Sequence, residues 1–216
     1  MQDAYPFIET PFNFRHCCWF CREPAARVFS FPQVNNIVFN CIHPPLNLAC
    51  CQECLIPANH SKATSIWLVV NDVKTFLLKR YQKDLAIGIN WTKAELADSQ
   101  FEEGSFAGFQ RSAWFMYEVA KKRINFSGWP LIVNGVNIDE LKYQVKECFH
   151  FDDVDYPDID NAIAHYAKTL SLPESFFKEV LAYFGNEKFA DTVRFCRLLV
   201  GATPEERKAA LRSLPH

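Results

Sequence analysis

Two copies of the motif CCxxC carry six of the nine cysteines in this 216-residue chain. The first copy lies in HCCWFC, residues 16–21, and the second in ACCQEC, residues 49–54. Each CxxC turn can place two thiolates on one side of a metal ion, so two turns together complete a tetrahedron of sulfur ligands. This spacing predicts a structural Zn²⁺ site. The predicted ligands are Cys18, Cys21, Cys51 and Cys54.

Neighbouring side chains leave some alternatives open. Cys17 and Cys50 could shift the register of the ligands, although small apolar packing is the more usual role of a buried cysteine. Cys41 and His43 could supply a substitute ligand, but a four-cysteine site needs neither. A thioredoxin-like redox pair would need a CxxC that opens a helix within a βαβ unit, and nothing around Cys18 has that pattern.

Composition restricts the classes of protein that fit. The chain is 49% hydrophobic with a net charge of −2, which favours a folded protein and gives no bulk support for non-specific nucleic-acid binding. The N-terminus lacks a secretory signal pattern, and the longest apolar run, Ile66–Val70, is far shorter than the roughly 20 residues of a membrane span. Nine cysteines without an export signal predict a reducing compartment, and therefore a cytoplasmic protein.

The first part of the chain is rich in Pro and Cys and short of helical periodicity. Two β-like runs, 26–31 and 36–41, predict a hairpin through PQVN. From Thr64 the pattern becomes helical, with one predicted helix ending at Gly88. A helix capped by Asn90 or Thr92, with Glu95 completing a capping box, follows, and then a helix over 108–123.

The second part contains one strong hairpin signal, Asn134–Gly135. The sequence after it predicts a helix beginning near Asp139 and an acidic connector over 152–160. The chain is then predicted to close with three or four helices, around 160–170, 174–184, 187–200 and 204–213. We therefore expect an α+β protein, with a small zinc module over 1–62 followed by a larger, mainly helical domain with one β-hairpin over 63–216.

The order of a first CxxC turn (a zinc knuckle), a β-hairpin and a second CxxC that leads into a helix resembles the treble-clef zinc finger. Over residues 16–62 it is similar to the scaffold of the HNH nucleases, in which a strand carrying Asp-His-x-x-Pro is followed by NL…CxxCN. This chain has NLACCQEC at the second place and VFSFP at the first. The family's general base falls on Phe29, its acidic neighbour on Val28, and the Asn after the last cysteine on Leu55. A phenyl ring can neither accept a proton nor bind a hard cation.

No other catalytic pattern is present: the chain has no HExxH, P-loop, GxGxxG or GxSxG motif. The sequence indicates no catalytic residue and no small-molecule cofactor. His43 or His60 could support a relocated nuclease site. The basic run Lys121–Arg123 is explained by the dipole at a helix C-terminus.

Three arginines alternate with aromatic residues near the first CxxC: Arg15, Arg22 and Arg27. Arginine beside aromatic rings can bind nucleic acid through stacking and phosphate contacts. Residues 1–62 nevertheless hold four basic and four acidic side chains, so this region is neutral as a whole. We expect a non-enzymatic zinc protein that acts as a binding or adaptor module for a protein or nucleic acid. The alternative is a divergent HNH-type metal-dependent nuclease.

Overall fold

A computed structural model describes residues 5–33, 41–98, 105–144 and 148–214. The structure is of the α+β class that the sequence predicts, with short antiparallel strand pairs and a larger helical part. The helices and strands group into two compact units, residues 1–157 and 158–216. The predicted division after residue 62 stays a prediction. The acidic run 152–160 contains the boundary between the two units.

The first unit begins with an antiparallel pair of strands. Strand β1 (Arg27–Phe31) pairs with β2 (Leu46–Cys50), with Phe29 opposite Leu48. Both of these side chains are buried, whereas Val28, which precedes Phe29 on β1 and points to the opposite face, is exposed. Residues 36–40 of the predicted hairpin partner, 36–41, lie outside the described part of the chain, so that hairpin stays a prediction. The buried face of β2 holds three apolar side chains, Leu46, Leu48 and Cys50.

α-Helices form the larger part of the regular secondary structure described in the first unit. They are α1 (Gln52–His60), α2 (Ile66–Arg80), α3 (Gln82–Asn90), α4 (Lys93–Asp98) and α5 (Ser105–Asn125). The single helix predicted to end at Gly88 is in fact two helices, interrupted at Tyr81 with φ −97° and ψ 14°. Thr92 forms the predicted capping box. Its N–H and its hydroxyl donate to Oε2 of Glu95, and its Oγ1 accepts the N–H of Glu95.

Two short hairpins complete the first unit. Strands β3 (Ile132–Val133) and β4 (Val136–Asn137) flank the predicted turn, in which Asn134 and Gly135 both have positive φ. The helix predicted from Asp139 is only a 3-10 helix over Asp139–Gln144, and residues 145–147 lie outside the described part. Strands β5 (Phe149–Phe151) and β6 (Val154–Tyr156) then pair through a turn at Asp152 and Asp153.

The second unit consists of four helices that agree with the predicted ones. They are α6 (Ile159–Thr169), α7 (Glu174–Phe184), α8 (Phe189–Leu198) and α9 (Pro204–Arg212). Asp158 caps α6, and Thr203 forms a capping box with Glu206 at the start of α9. Aromatic rings fill its core, with Phe189 5.9 Å from Tyr166 and 5.8 Å from Phe177, centroid to centroid.

Helices α3 and α5 approach each other closely at Gly88. A Cβ built on Gly88 of α3 would lie 2.3 Å from the ring of Tyr117 on α5, so only glycine allows this approach. Of the aromatic side chains in this region, Trp67, Tyr117 and Trp129 are buried, whereas Trp114 is only half-buried. Helix α5 can therefore pack this closely against α3 only because residue 88 has no side chain.

We expect Gly88→Ala to lower the free energy of unfolding by about 1–3 kcal/mol, because overpacking at Tyr117 exceeds the gain in helix propensity of about 1 kcal/mol. Denaturant titration measures the change. In a Tyr117→Ala background, where the ring is gone, the same substitution should stabilise the protein. A Gly88→Ala variant that is more stable than the wild type would contradict the contact.

Candidate metal centre

Four cysteine sulfurs converge at one end of the β1–β2 pair. Cys18 and Cys21 lie in the loop before β1. Cys51 is the N-cap of α1, and Cys54 lies in the first turn of that helix. The strand β2 ends at Cys50, so the chain enters the second CxxC directly from the sheet. The four cysteines predicted from spacing are therefore brought together by one strand pair and one helix start.

The distances fit a tetrahedral metal site. The four sulfur atoms all lie within 4.8 Å of one another, and the Sγ atoms of Cys21 and Cys51 are 3.7 Å apart. Four Zn–S bonds of about 2.3 Å in a tetrahedron would separate neighbouring sulfurs by about 3.8 Å. A disulfide would need about 2.05 Å, and all nine cysteines are free thiols. All four cysteines of the cluster are buried.

Backbone hydrogen bonds fix the two turns that present the sulfurs. In the first turn, the N–H of Arg22 donates to the carbonyl of Cys18 at 2.8 Å, and the N–H of Trp19 donates to the carbonyl of Ala49 at 2.9 Å. In the second, the N–H of Cys54 points at the sulfur of Cys51, 3.4 Å away. The contact with Ala49 joins the first turn to β2, so both CxxC turns are held by the same strand.

The sulfurs strongly influence one another's protonation. Hydrogen bonds from the other three sulfurs, Cys18 foremost, lower the pKa of Cys51. The corresponding contacts, again with Cys18 foremost, together with burial, raise the pKa of Cys54. Ionisation of one cysteine therefore makes ionisation of the neighbouring cysteines less favourable. Four thiolates in this buried space require a cation among them, and coordination to a divalent metal ion deprotonates such thiols.

Neighbouring cysteines and His43 make other contacts. Cys50 donates to the carbonyl of Cys51, and Cys41 donates to the carbonyl of His43, each at 3.2 Å. The His43 ring uses both nitrogens, with Nδ1 2.9 Å from the carbonyl oxygen of Pro44 and Nε2 accepting the N–H of Ile66 at 3.0 Å. Burial lowers the pKa of His43 below its usual value. The ring is therefore a neutral, structural side chain.

The positions that would carry nuclease chemistry are apolar. Phe29 is 1% exposed and packs between the rings of Phe20 and Phe31, at centroid distances of 5.9 and 6.4 Å. His60 is exposed at the end of α1, where its Nδ1 is 2.8 Å from the carbonyl oxygen of Ile56. His43, the other candidate for a relocated base, is buried in the contacts just described. Strand β1 therefore carries a buried phenylalanine, Phe29, at the position where a nuclease of this type would have its general base.

Arg123 is a residue of the site that the sequence reasoning missed. It comes from α5, is 7% exposed, and its Nη2 lies 3.5 Å from the sulfur of Cys21 and 2.5 Å from Oε2 of Glu53. Its Nη1 donates to the hydroxyl of Tyr81, whose ring lies under the guanidinium at 4.8 Å. The hydroxyl of Tyr81 in turn donates to Glu53, 2.8 Å away. Burial, together with the bond to Glu53, raises the pKa of Tyr81 to about 12, so this donor stays protonated.

The helix-dipole interpretation of Lys121–Arg123 was incomplete. Arg123 lies three residues after Ala120, beside Ile124, and both of these side chains are fully buried. Residues three apart share a helix face, so the apolar period of α5 already placed residue 123 towards the core. A charged residue on an apolar face was the available signal. Its partner Glu53 lies between the ligand-type cysteines of the second CxxC.

The three candidate nucleic-acid contacts are all exposed and have different local partners. The guanidinium of Arg15 lies over the ring of Phe12 at 4.3 Å, and that of Arg22 lies over Phe14 at 5.6 Å. Arg27 donates to the side chain of Gln52 at 3.0 Å. Arg22 lines a cleft of about 520 Å³, which it shares with Lys121 and Lys122.

Comparison with known protein families, curated proteins and solved structures found no match to this chain. The similarity to treble-clef and HNH scaffolds therefore rests on the motif residues alone. Within the described part of the chain, no helix has both the length and the apolar character needed to cross a bilayer. The finding that stands on geometry is a buried four-cysteine cluster able to hold one metal ion.

We expect the purified protein to contain about one metal ion per chain, and Cys51→Ser to remove it, because three thiolates and a hydroxyl bind such an ion far more weakly. Elemental analysis against protein concentration measures the ratio. Cys17→Ser is the matched control, since Cys17 adjoins Cys18 but lies outside the cluster. Equal metal content in both variants would contradict the assigned ligand set.

Proposed function

We propose that the protein is a non-enzymatic zinc protein whose metal ion is structural and whose surface binds an anionic partner, with nucleic acid favoured over protein. The proposal of a structural metal ion rests on the four buried cysteine sulfurs, which form a closed set of ligands. A catalytic zinc site keeps one position open for water or substrate, whereas four cysteines at tetrahedral spacing leave none. The arrangement therefore supports stabilisation rather than catalysis.

Zinc is the metal that this donor set favours. Four soft thiolates in a tetrahedron suit zinc or iron, and hard cations such as Mg²⁺ prefer oxygen ligands. Such a site needs reduced cysteines, which supports a cytoplasmic location. The order of elements, with a knuckle, a strand pair and a CxxC at the start of α1, supports a treble-clef type of module.

A basic cleft beside the first CxxC turn supports an anionic partner. Its charged lining includes the exposed Arg22 and Lys122, and also Lys121, Arg123 and one acid, Glu23. Lys121 has acidic neighbours, with its Nζ 3.7 Å from carboxylate oxygens of Glu118 and Asp153, and Arg123 is committed to the metal site. Arg22 and Lys122 are therefore the side chains we propose for phosphate contacts. Phosphate contacts of this kind hold a protein on nucleic acid without reading its sequence.

The alternative from the HNH resemblance, a metal-dependent nuclease, has less support. It would require a base and a hard-cation site near β1. The matching positions are the buried Phe29 and the exposed Val28, and His43 has both ring nitrogens occupied. Of the two histidines considered for such a role, His60 is the exposed one.

We expect retention of the protein on nucleic acid to fall steeply with salt, because each neutralised phosphate contributes about 0.7–0.9 to the slope of log K against log salt. Arg22→Gln and Lys122→Gln should each weaken binding and lower that slope by up to about 1. Lys79→Gln, an exposed cation outside the cleft, is the control. Fluorescence anisotropy with a labelled oligonucleotide over a salt series measures both quantities.

Binding that is absent, or that Arg22→Gln and Lys122→Gln leave unchanged, would overturn the proposed nucleic-acid surface and favour a protein partner.

We also expect no cleavage of DNA or RNA with Mg²⁺ or Mn²⁺. Metal-dependent cleavage that disappears in His60→Ala would establish a relocated nuclease site and overturn the non-enzymatic assignment.

A further inference from the structure

We propose that Arg123 is a positioning residue for the metal centre, which strengthens metal binding by donating a charged hydrogen bond to the Cys21 sulfur and thereby links the metal to helix α5. This inference rests on the proposed metal site. Arg123 is separated from Cys21 by 102 residues in sequence, yet its Nη2 lies 3.5 Å from that sulfur. A hydrogen bond from a cation to a ligand atom is a common way in which outer groups orient and tune a metal ligand.

The guanidinium is held in place from several sides. Nη2 is shared between Cys21 and Glu53, while Nη1 donates to Tyr81, whose ring also packs against the guanidinium. Nε lies 3.9 Å from Oε1 of Glu23, which is ion-pair distance but too long for a hydrogen bond. Because the fork of an arginine is planar and rigid, fixing these nitrogens fixes the direction of the donor that faces Cys21.

Charge explains why a cation is needed there. Four thiolates around a divalent ion carry a net charge of −2, and a buried net charge is costly unless it is paired. Arg123 supplies a positive charge directly at one sulfur. Glu53 offsets part of that charge. Its other oxygen, Oε1, lies 3.5 Å from Nε of Arg80, and this second cation reduces the electrostatic cost of a carboxylate near the sulfurs.

The same contacts connect four parts of the first unit. Glu53 belongs to α1 between Cys51 and Cys54, and Tyr81 is the residue that separates α2 from α3. Arg123 belongs to α5, and Cys21 to the loop before β1. A metal ion that fixes Cys21 and Cys54 would thus also fix the place where the three later helices meet.

The test compares Arg123→Gln with Glu53→Gln, because both substitutions break the same ion pair. Zn²⁺ affinity is measured by competition with a chelator, and the sulfur-to-metal charge-transfer band is measured in Co²⁺-loaded protein. We expect Arg123→Gln to weaken Zn²⁺ binding by about 10–100-fold and to shift the Co²⁺ band. Glu53→Gln should keep affinity within about threefold of the wild type, since it removes negative charge near the thiolates and leaves the donor.

Equal losses of Zn²⁺ affinity in the two variants would overturn the inference, because they would assign Arg123 only to the ion pair. Arg123→Lys keeps the charge without the fork, and we expect an affinity between those of Arg123→Gln and the wild type; an affinity equal to that of the wild type would also overturn it. Lys79→Gln is the control. Wild-type protein that binds no metal would overturn the metal site itself, whereas stoichiometric zinc that Arg123→Gln leaves equally tight would overturn this inference alone.

Discussion

Four sulfur atoms packed within 4.8 Å of one another in the protein interior form the constraint around which the first unit is organised. Buried thiols at this distance compete for protons, and they cannot all ionise without a positive charge between them. A divalent ion bound there would meet that need and would crosslink a loop, a strand end and a helix start. The β1–β2 pair is only five residues long on each side, and a crosslink at its end would add to the small apolar core that Phe29, Leu46 and Leu48 form.

The contact between Arg123 and Cys21 extends that organisation into the helical part of the unit. A buried arginine from α5 reaches the sulfur of Cys21, one of the four cysteines of the cluster. Glu53 and Tyr81 complete the connection. The consequence is that the cysteine segment and helices α2, α3 and α5 share one hydrogen-bond network, and the proposed basic cleft lies beside it.

Local signals predicted a large part of the fold correctly. The Asn134–Gly135 turn, the capping box at Thr92 and the four helices of the second unit depend on residues close together in sequence, and each was found. The helix expected from Asp139 was wrong because its apolar residues Phe149 and Phe151 belong to a strand that pairs with β6. The break at Tyr81 carries no Pro or Gly, and the side chain's hydrogen bonds to Glu53 are made across 28 residues of sequence.

The candidate site divides in the same way. Sequence alone determined the four cysteines, because the CxxC spacing sets a turn geometry that is local and repeats at both places. Tertiary structure alone decided that β1 pairs with β2. It also decided that both ring nitrogens of His43 form hydrogen bonds in the core, and that Arg123 contacts the Cys21 sulfur. These depend on contacts between residues far apart in the chain, whose partners are chosen by packing and by the need to neutralise buried charge rather than by spacing.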